Sequence, residues 1–144
     1  MKHLNVNLFL LFITPFVSGQ TFEIDTKKYL DSNELDPIEG IWEFENEYEG
    51  IYARVVIQKS NLGDFYEERI VEVLDKKLKR QYKKSGFDVG DFIVRVERTE
   101  NSGTFLFTEA GGIGNYECIL RNSVILNCTY DDFEFSAFKS YPLK

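Results

Sequence analysis

Histidine is almost missing: His3 is the one histidine among 144 residues. Serine and cysteine triads need an imidazole base, and many zinc and iron sites need imidazole as a ligand, so the remainder of the chain lacks the usual means for either chemistry. Cysteine is sparse as well. Cys118 and Cys128 are the only two, and they lack the Cys-x-x-Cys spacing of a redox pair. Long apolar runs are absent: Leu8 to Phe12 with Val17 is too short to cross a bilayer, and Pro15 interrupts it. Basic side chains are outnumbered, 17 against 24 acidic, which speaks against nucleic acid as a partner. No Lys-Ser or Lys-Thr follows the glycines at 111, 112 and 114, so they read as a loop and not as a phosphate cradle.

What is present begins with an export pattern. Met1-Lys2-His3 is a positive start, Leu8 to Phe12 with Val17 an apolar stretch, and Val17-Ser18-Gly19 a small-residue site, with cleavage expected before Gln20. Residues 1–19 are accordingly expected to be a signal peptide, and the product to be secreted or periplasmic, with no transmembrane segment. Loss of Lys2 leaves 24 acidic against 16 basic side chains, a net charge of −8, and Phe9, Phe12 and Phe16 depart too. The remaining length suits one domain that can bury a core without metals or several disulfides, and no cofactor is expected.

Residues 20–39 are mixed in character and read as an extended arm with a short helical turn over Ser32 to Ile38. From Gly40 the period is two. Ile51, Ala53, Val55 and Ile57 alternate with Tyr52, Arg54, Val56 and Gln58, and Phe92, Val94 and Val96 alternate with Ile93, Arg95 and Glu97. Strands are expected near 40–46, 50–59, 64–73, 91–99, 103–109, 115–121, 124–130 and 132–139. The expectation is an all-β domain over residues 40–144, a small antiparallel up-and-down barrel of about eight strands, although this alternation alone fits an open sandwich equally. Gly40 would let the backbone approach a neighbour closely, and Trp42 would plug one barrel end.

A hairpin turning at Asn122-Ser123 puts Cys118 and Cys128 on one face, nearly opposite, where a disulfide is expected. Asn127-Cys128-Thr129 matches a glycosylation acceptor, though within a strand. Lys76 to Lys84, with six basic residues in nine, reads as a solvated loop or helical turn, or as an anion-binding patch beside the barrel mouth. Glu43, Glu45, Glu47 and Glu49 are the nearest thing to a carboxylate pair, but Glu43 and Glu45 fall opposite Trp42 and Phe44 and read as solvated. The chain is therefore expected not to be an enzyme.

Gly40-Ile41-Trp42, entered through a short helical turn, resembles the Gly-x-Trp signature of the lipocalins, within the calycin superfamily. Leu35 to Trp42 and Phe87-Asp88-Val89-Gly90-Asp91-Phe92 resemble a group of secreted bacterial lipocalin-like proteins, over about residues 35 to 142. The family's Thr-Asp-Tyr-type motif is lacking, and no arginine follows Arg121 to pack across the tryptophan, a place Lys139 could fill with its stem. The resemblance implies a ligand cavity in the barrel, whose inward side chains would be Trp42, Phe44, Ala53, Val55, Phe92, Val94, Phe105, Phe107, Phe133 and Phe135. Two readings follow: a secreted carrier of a small hydrophobic ligand, or a filled barrel serving as an extracellular protein-interaction or enzyme-inhibitor module that uses residues 20–39 as its arm.

Overall fold

The computed structural model describes residues 14–47, 50–110 and 114–143, with side chains from Gly19 onward. The basic start and apolar stretch of the expected leader, Glu49 and Gly111-Gly112-Ile113 lie outside the described residues. Eight strands follow one another around a closed, wholly antiparallel barrel: β1 (Gly40–Asn46), β2 (Gly50–Lys59), β3 (Tyr66–Val73), β4 (Phe92–Arg98), β5 (Thr104–Glu109), β6 (Asn115–Arg121), β7 (Ile125–Tyr130) and β8 (Phe133–Tyr141). Closure is made by β8 pairing with β1, Lys139 opposite Trp42 and Ala137 opposite Phe44. A sandwich is thereby ruled out. Among the described residues two helices accompany the barrel, α1 (Thr14–Ser32) and α2 (Lys76–Lys84), and neither is long and apolar enough to cross a membrane.

The turns follow from local chemistry. Asn122 and Ser123 both take positive φ (50° and 61°), and Val124 N–H donates to the Arg121 carbonyl, the tight hairpin form whose twist matches the flanking strands. Its arms bring Cys118 opposite Cys128, joined as a disulfide with Cα atoms 4.0 Å apart, inside the barrel. Gly40 has φ 149°, and a Cβ there would lie 2.6 Å from the Tyr141 carbonyl oxygen, so the β1–β8 seam closes only around a glycine.

The segment before the barrel differs from the expected extended arm. Residues through Ser32 are helical, and a turn at Asp36 to Glu39, closed by Glu39 N–H to the Asp36 carbonyl at 2.9 Å, leads into β1. Thr26 and Leu30, buried, and Phe22, half-buried, make a stripe at four-residue spacing along α1. That stripe covers Ile41, Val56 and Val71 on the outer face of β1 to β3. An ion pair from Arg54 of β2 to Glu23 of α1 at 3.0 Å fastens it. These three strands are therefore apolar on both faces, which is why Val55-Val56-Ile57 and Ile70-Val71 run without alternation.

Inside, Trp42, Phe44, Val55, Ile57, Tyr66, Ile70, Val94, Val96, Phe105, Phe107, Leu126 and Ala137 belong to one buried cluster. Glu39 anchors the closed end: its buried carboxylate accepts from Asp36 N–H and Lys59 N–H, both at 2.8 Å. The Trp42 indole donates to the Ile38 carbonyl at 2.9 Å.

Candidate ligand-binding site

The two barrel ends differ in kind. Trp42 and the Asp36 to Glu39 turn shut one end, whereas α2, carried on the connection between β3 and β4, lies at the other. Asp75 caps α2, accepting Leu78 N–H at 2.6 Å. At its far end Phe87 N–H donates to the Tyr82 carbonyl and Gly86 N–H to the Lys83 carbonyl, with Gly86 at φ 79°, a Schellman ending. The accompanying apolar contact is Tyr82 against Phe87, edge to face at 6.1 Å. Helix α2 thus turns Tyr82 inward, half-buries Leu78 and leaves its six cations in solvent, so the basic segment is a capped helix. Tyr82, Phe87 and Val89 pack on the barrel interior as a partial cover.

Beneath this cover the lumen is aromatic and polar together. Phe107 stacks on Tyr116 at 5.0 Å, Tyr116 meets Phe135 edge-on at 5.3 Å, and Phe44 touches Tyr52 and Phe135 at 6.3 and 6.1 Å. Tyr52 turns inward because β2 is bulged there: Phe44 pairs with Ala53 and Glu45 with Ile51, so the register shifts by one residue at Tyr52. On β3, Glu68 alternates with Tyr66 and Ile70 and so faces the lumen, paired across to Ile57 and Val94, both in the apolar cluster. It is 4 % exposed, and its Oε2 has no hydrogen-bond partner. Burial, reinforced by the Glu109 carboxylate, pushes the Glu68 carboxyl up to about 8. Burial first, then Glu68 and Glu109, pushes the Tyr82 phenol up to about 12, and burial above all raises Tyr116. Glu68, Tyr82 and Tyr116 therefore share one poorly solvated space, with the exposed Glu109 at its rim.

A half-open cleft of about 710 Å³ lies beside this space, between α1, the end of β3 and α2, and its lining reaches the outer-face residues Val71 and Glu72. Ile70, Val73, Tyr82, Phe87 and Val89 make its apolar wall, and Lys79, Lys83, Glu23 and Asp88 are among its polar lining. Among the described residues no three His, Cys, Asp or Glu side chains converge as metal ligands.

The expected inward residues are mostly found there. Trp42, Phe44, Val55, Val94, Phe105 and Phe107 are buried in the interior cluster, Ala53 is buried at the bulge, and Phe135 packs partly buried against the cluster. Two depart. A register shift in the β3–β4 pairing turns Ile93 inward and leaves Phe92 opposite Arg69, half-buried. Phe133, stacked on Phe135 at 6.0 Å, stands at the β7–β8 turn beyond the packed layers and is 46 % exposed. Sequence reading passed over Glu68, Tyr52, Tyr82 and Tyr116. Parity with Ile70 and with Cys118 signals Glu68 and Tyr116, and the four-residue spacing of Leu78 and Tyr82 signals α2's inner side; nothing local signals the bulge at Tyr52. Of the acidic alternation, Glu45 is exposed, while Glu43 lies 3.6 Å from the Arg54 guanidinium on the outer face.

No family model matches the chain, and neither a curated protein nor a solved structure shows significant similarity to it. Build alone therefore defines the class: a closed eight-stranded up-and-down barrel with a Gly-x-Trp entry, consistent with a lipocalin-like fold.

Proposed function

We propose that the protein is a secreted or periplasmic lipocalin-like binding protein, without enzymatic activity, that takes a small, largely apolar ligand at the α2-covered mouth of its barrel. The observation that carries this reading is the cavity of about 710 Å³ walled by Ile70, Val73, Tyr82, Phe87 and Val89. Its volume falls within the roughly 300–1,000 Å³ of small-molecule sites. The deeper lumen is occupied by Trp42, Phe44, Phe105 and Phe107, so binding belongs at the mouth and not throughout the barrel. Export is supported by the leader-like start and by the disulfide, a bond that persists in oxidising compartments.

The interaction-module reading drew on a detachable arm. Leu30 is fully buried and Arg54 holds Glu23, so α1 supports the barrel wall and is not a free arm. The carrier reading is tested with N-phenyl-1-naphthylamine, whose fluorescence rises in apolar surroundings. Saturable uptake with one molecule per chain is expected, weakened at least tenfold in Val89→Trp, which fills the cavity, with the far-UV spectrum unchanged. Non-saturable uptake, or equal uptake by Val89→Trp, would overturn it.

A further inference from the structure

We infer that the ligand taken at the barrel mouth is a small organic amine bound as its ammonium, anchored on Glu68 among the rings of Tyr52, Tyr82 and Tyr116. This rests on the carrier reading and adds the ligand's chemical class. Glu68 is the anchor because a buried carboxyl oxygen without a partner is rare in a native interior and costly to keep. Its strand neighbours Ile57 and Val94 are apolar, and among the described residues no Lys or Arg forms an ion pair with it. An ammonium group would supply both the missing donor and the missing charge.

The surroundings suit a cation. Tyr82 and Tyr116 both sense the Glu68 charge, so two electron-rich rings stand near the carboxyl, and Tyr52 stands near Tyr116. Glu109, at the end of β5 and paired with Val94, adds a second acidic group toward solvent. Ile70, two residues beyond Glu68 on the same face, and Tyr82 both line the cleft, whereas Glu68 lies deeper, so the ammonium would reach the carboxyl by passing inward beside Tyr82. The titratable groups near Glu68 are Glu109 from β5, Tyr116 from β6 and Tyr82 from α2, with Tyr52 from β2 beyond Tyr116. Strand β4 presents the uncharged Val94, and Lys79 and Lys83 stand at the cavity's outer lining.

In the empty protein at neutral pH, burial keeps Glu68 mostly protonated. Uptake of an ammonium then releases that proton to water and leaves a carboxylate paired with the ligand's N–H groups; no covalent bond changes. Affinity must therefore rise with pH until Glu68 is ionised in the empty protein, by up to tenfold per unit.

The test uses 2-phenylethylamine, with 2-phenylethanol as its uncharged counterpart, titrated calorimetrically between pH 6 and 8 into the disulfide-bonded protein. The amine is expected to bind at least tenfold more tightly than the alcohol at pH 8 and to weaken as pH falls, the alcohol showing no such trend. Glu68→Gln should remove the preference and the trend. Glu109→Gln should keep the preference and move the trend to lower pH, a result a merely structural Glu68 would not give. Equal, pH-independent binding of amine and alcohol overturns the cation and leaves the carrier standing, as does uptake of the naphthylamine dye without either compound. Failure of all three ligands overturns the carrier reading and this inference together.

Discussion

The ammonium of Lys139 lies 5.1 Å from the centre of the Trp42 ring and donates to the Pro37 carbonyl at 2.6 Å, tying β8 to β1 and to the turn before it. The side chain covers the tryptophan that shuts the barrel, in the place a late arginine would take. Burial lowers its ammonium to about 8, against the pull of Glu39. A lysine lowered in the folded state disfavours folding while it is charged, and that cost is relieved as pH rises from 8 toward the ordinary value of 10.5. Urea unfolding of the protein should therefore show stability rising across that window relative to Lys139→Met. Parallel pH profiles would contradict it.

Leu30 is where α1 enters the outer apolar layer over Ile41, Val56 and Val71. Leu30→Ala should cost about 2–4 kcal/mol in urea unfolding, as for other buried leucines. A loss below about 0.5 kcal/mol would mean that the helix is not part of the cooperative unit.

Cys118 and Cys128 close a short loop inside the lumen, both buried. The Cys118→Ala, Cys128→Ala double variant should lose about 2–3 kcal/mol and keep the barrel's far-UV spectrum. The native thiols should resist alkylation by iodoacetamide under mild reductant and react once urea is added. Alkylation at equal rates in both conditions would argue against the buried bridge.

Glu68 supplies the opposite pH signature to Lys139. Its folded value, near 8, lies above the ordinary 4.5, so its contribution to stability is fully present below pH 4.5 and is lost as pH rises to 8. Between those values the slope is at most about 1.4 kcal/mol per pH unit. Glu68→Gln should flatten that limb and be the more stable protein at pH 8. A limb unchanged by the substitution would place the titration elsewhere.

Much of the barrel was legible because inward and outward side chains alternate between short polar turns. β1, β2 and β6 were read at their observed limits, and the other five strands agree to within two residues at each end. Cys118 and Cys128 were placed opposite each other by parity and a two-residue turn. The helix α1 was not legible, since its buried stripe is only Phe22, Thr26 and Leu30, with a polar residue in the middle and Ile24 on the exposed side. Phe92 was misplaced for a different reason: a register shift reverses facing without leaving a mark in composition. Of the candidate site, the aromatic lining could be read and the polar part could not. Glu68 lies in Glu67-Glu68-Arg69, which looks like solvated surface until pairing with Ile57 and Val94 fixes its side.

The most direct test is native mass spectrometry of the protein purified from the cell that makes it. A chain two hydrogens lighter than its reduced form, carrying one small basic molecule that departs on denaturation, is the expected result. A bare chain that also fails to retain added 2-phenylethylamine or N-phenyl-1-naphthylamine would contradict a carrier whose site lies at the barrel mouth.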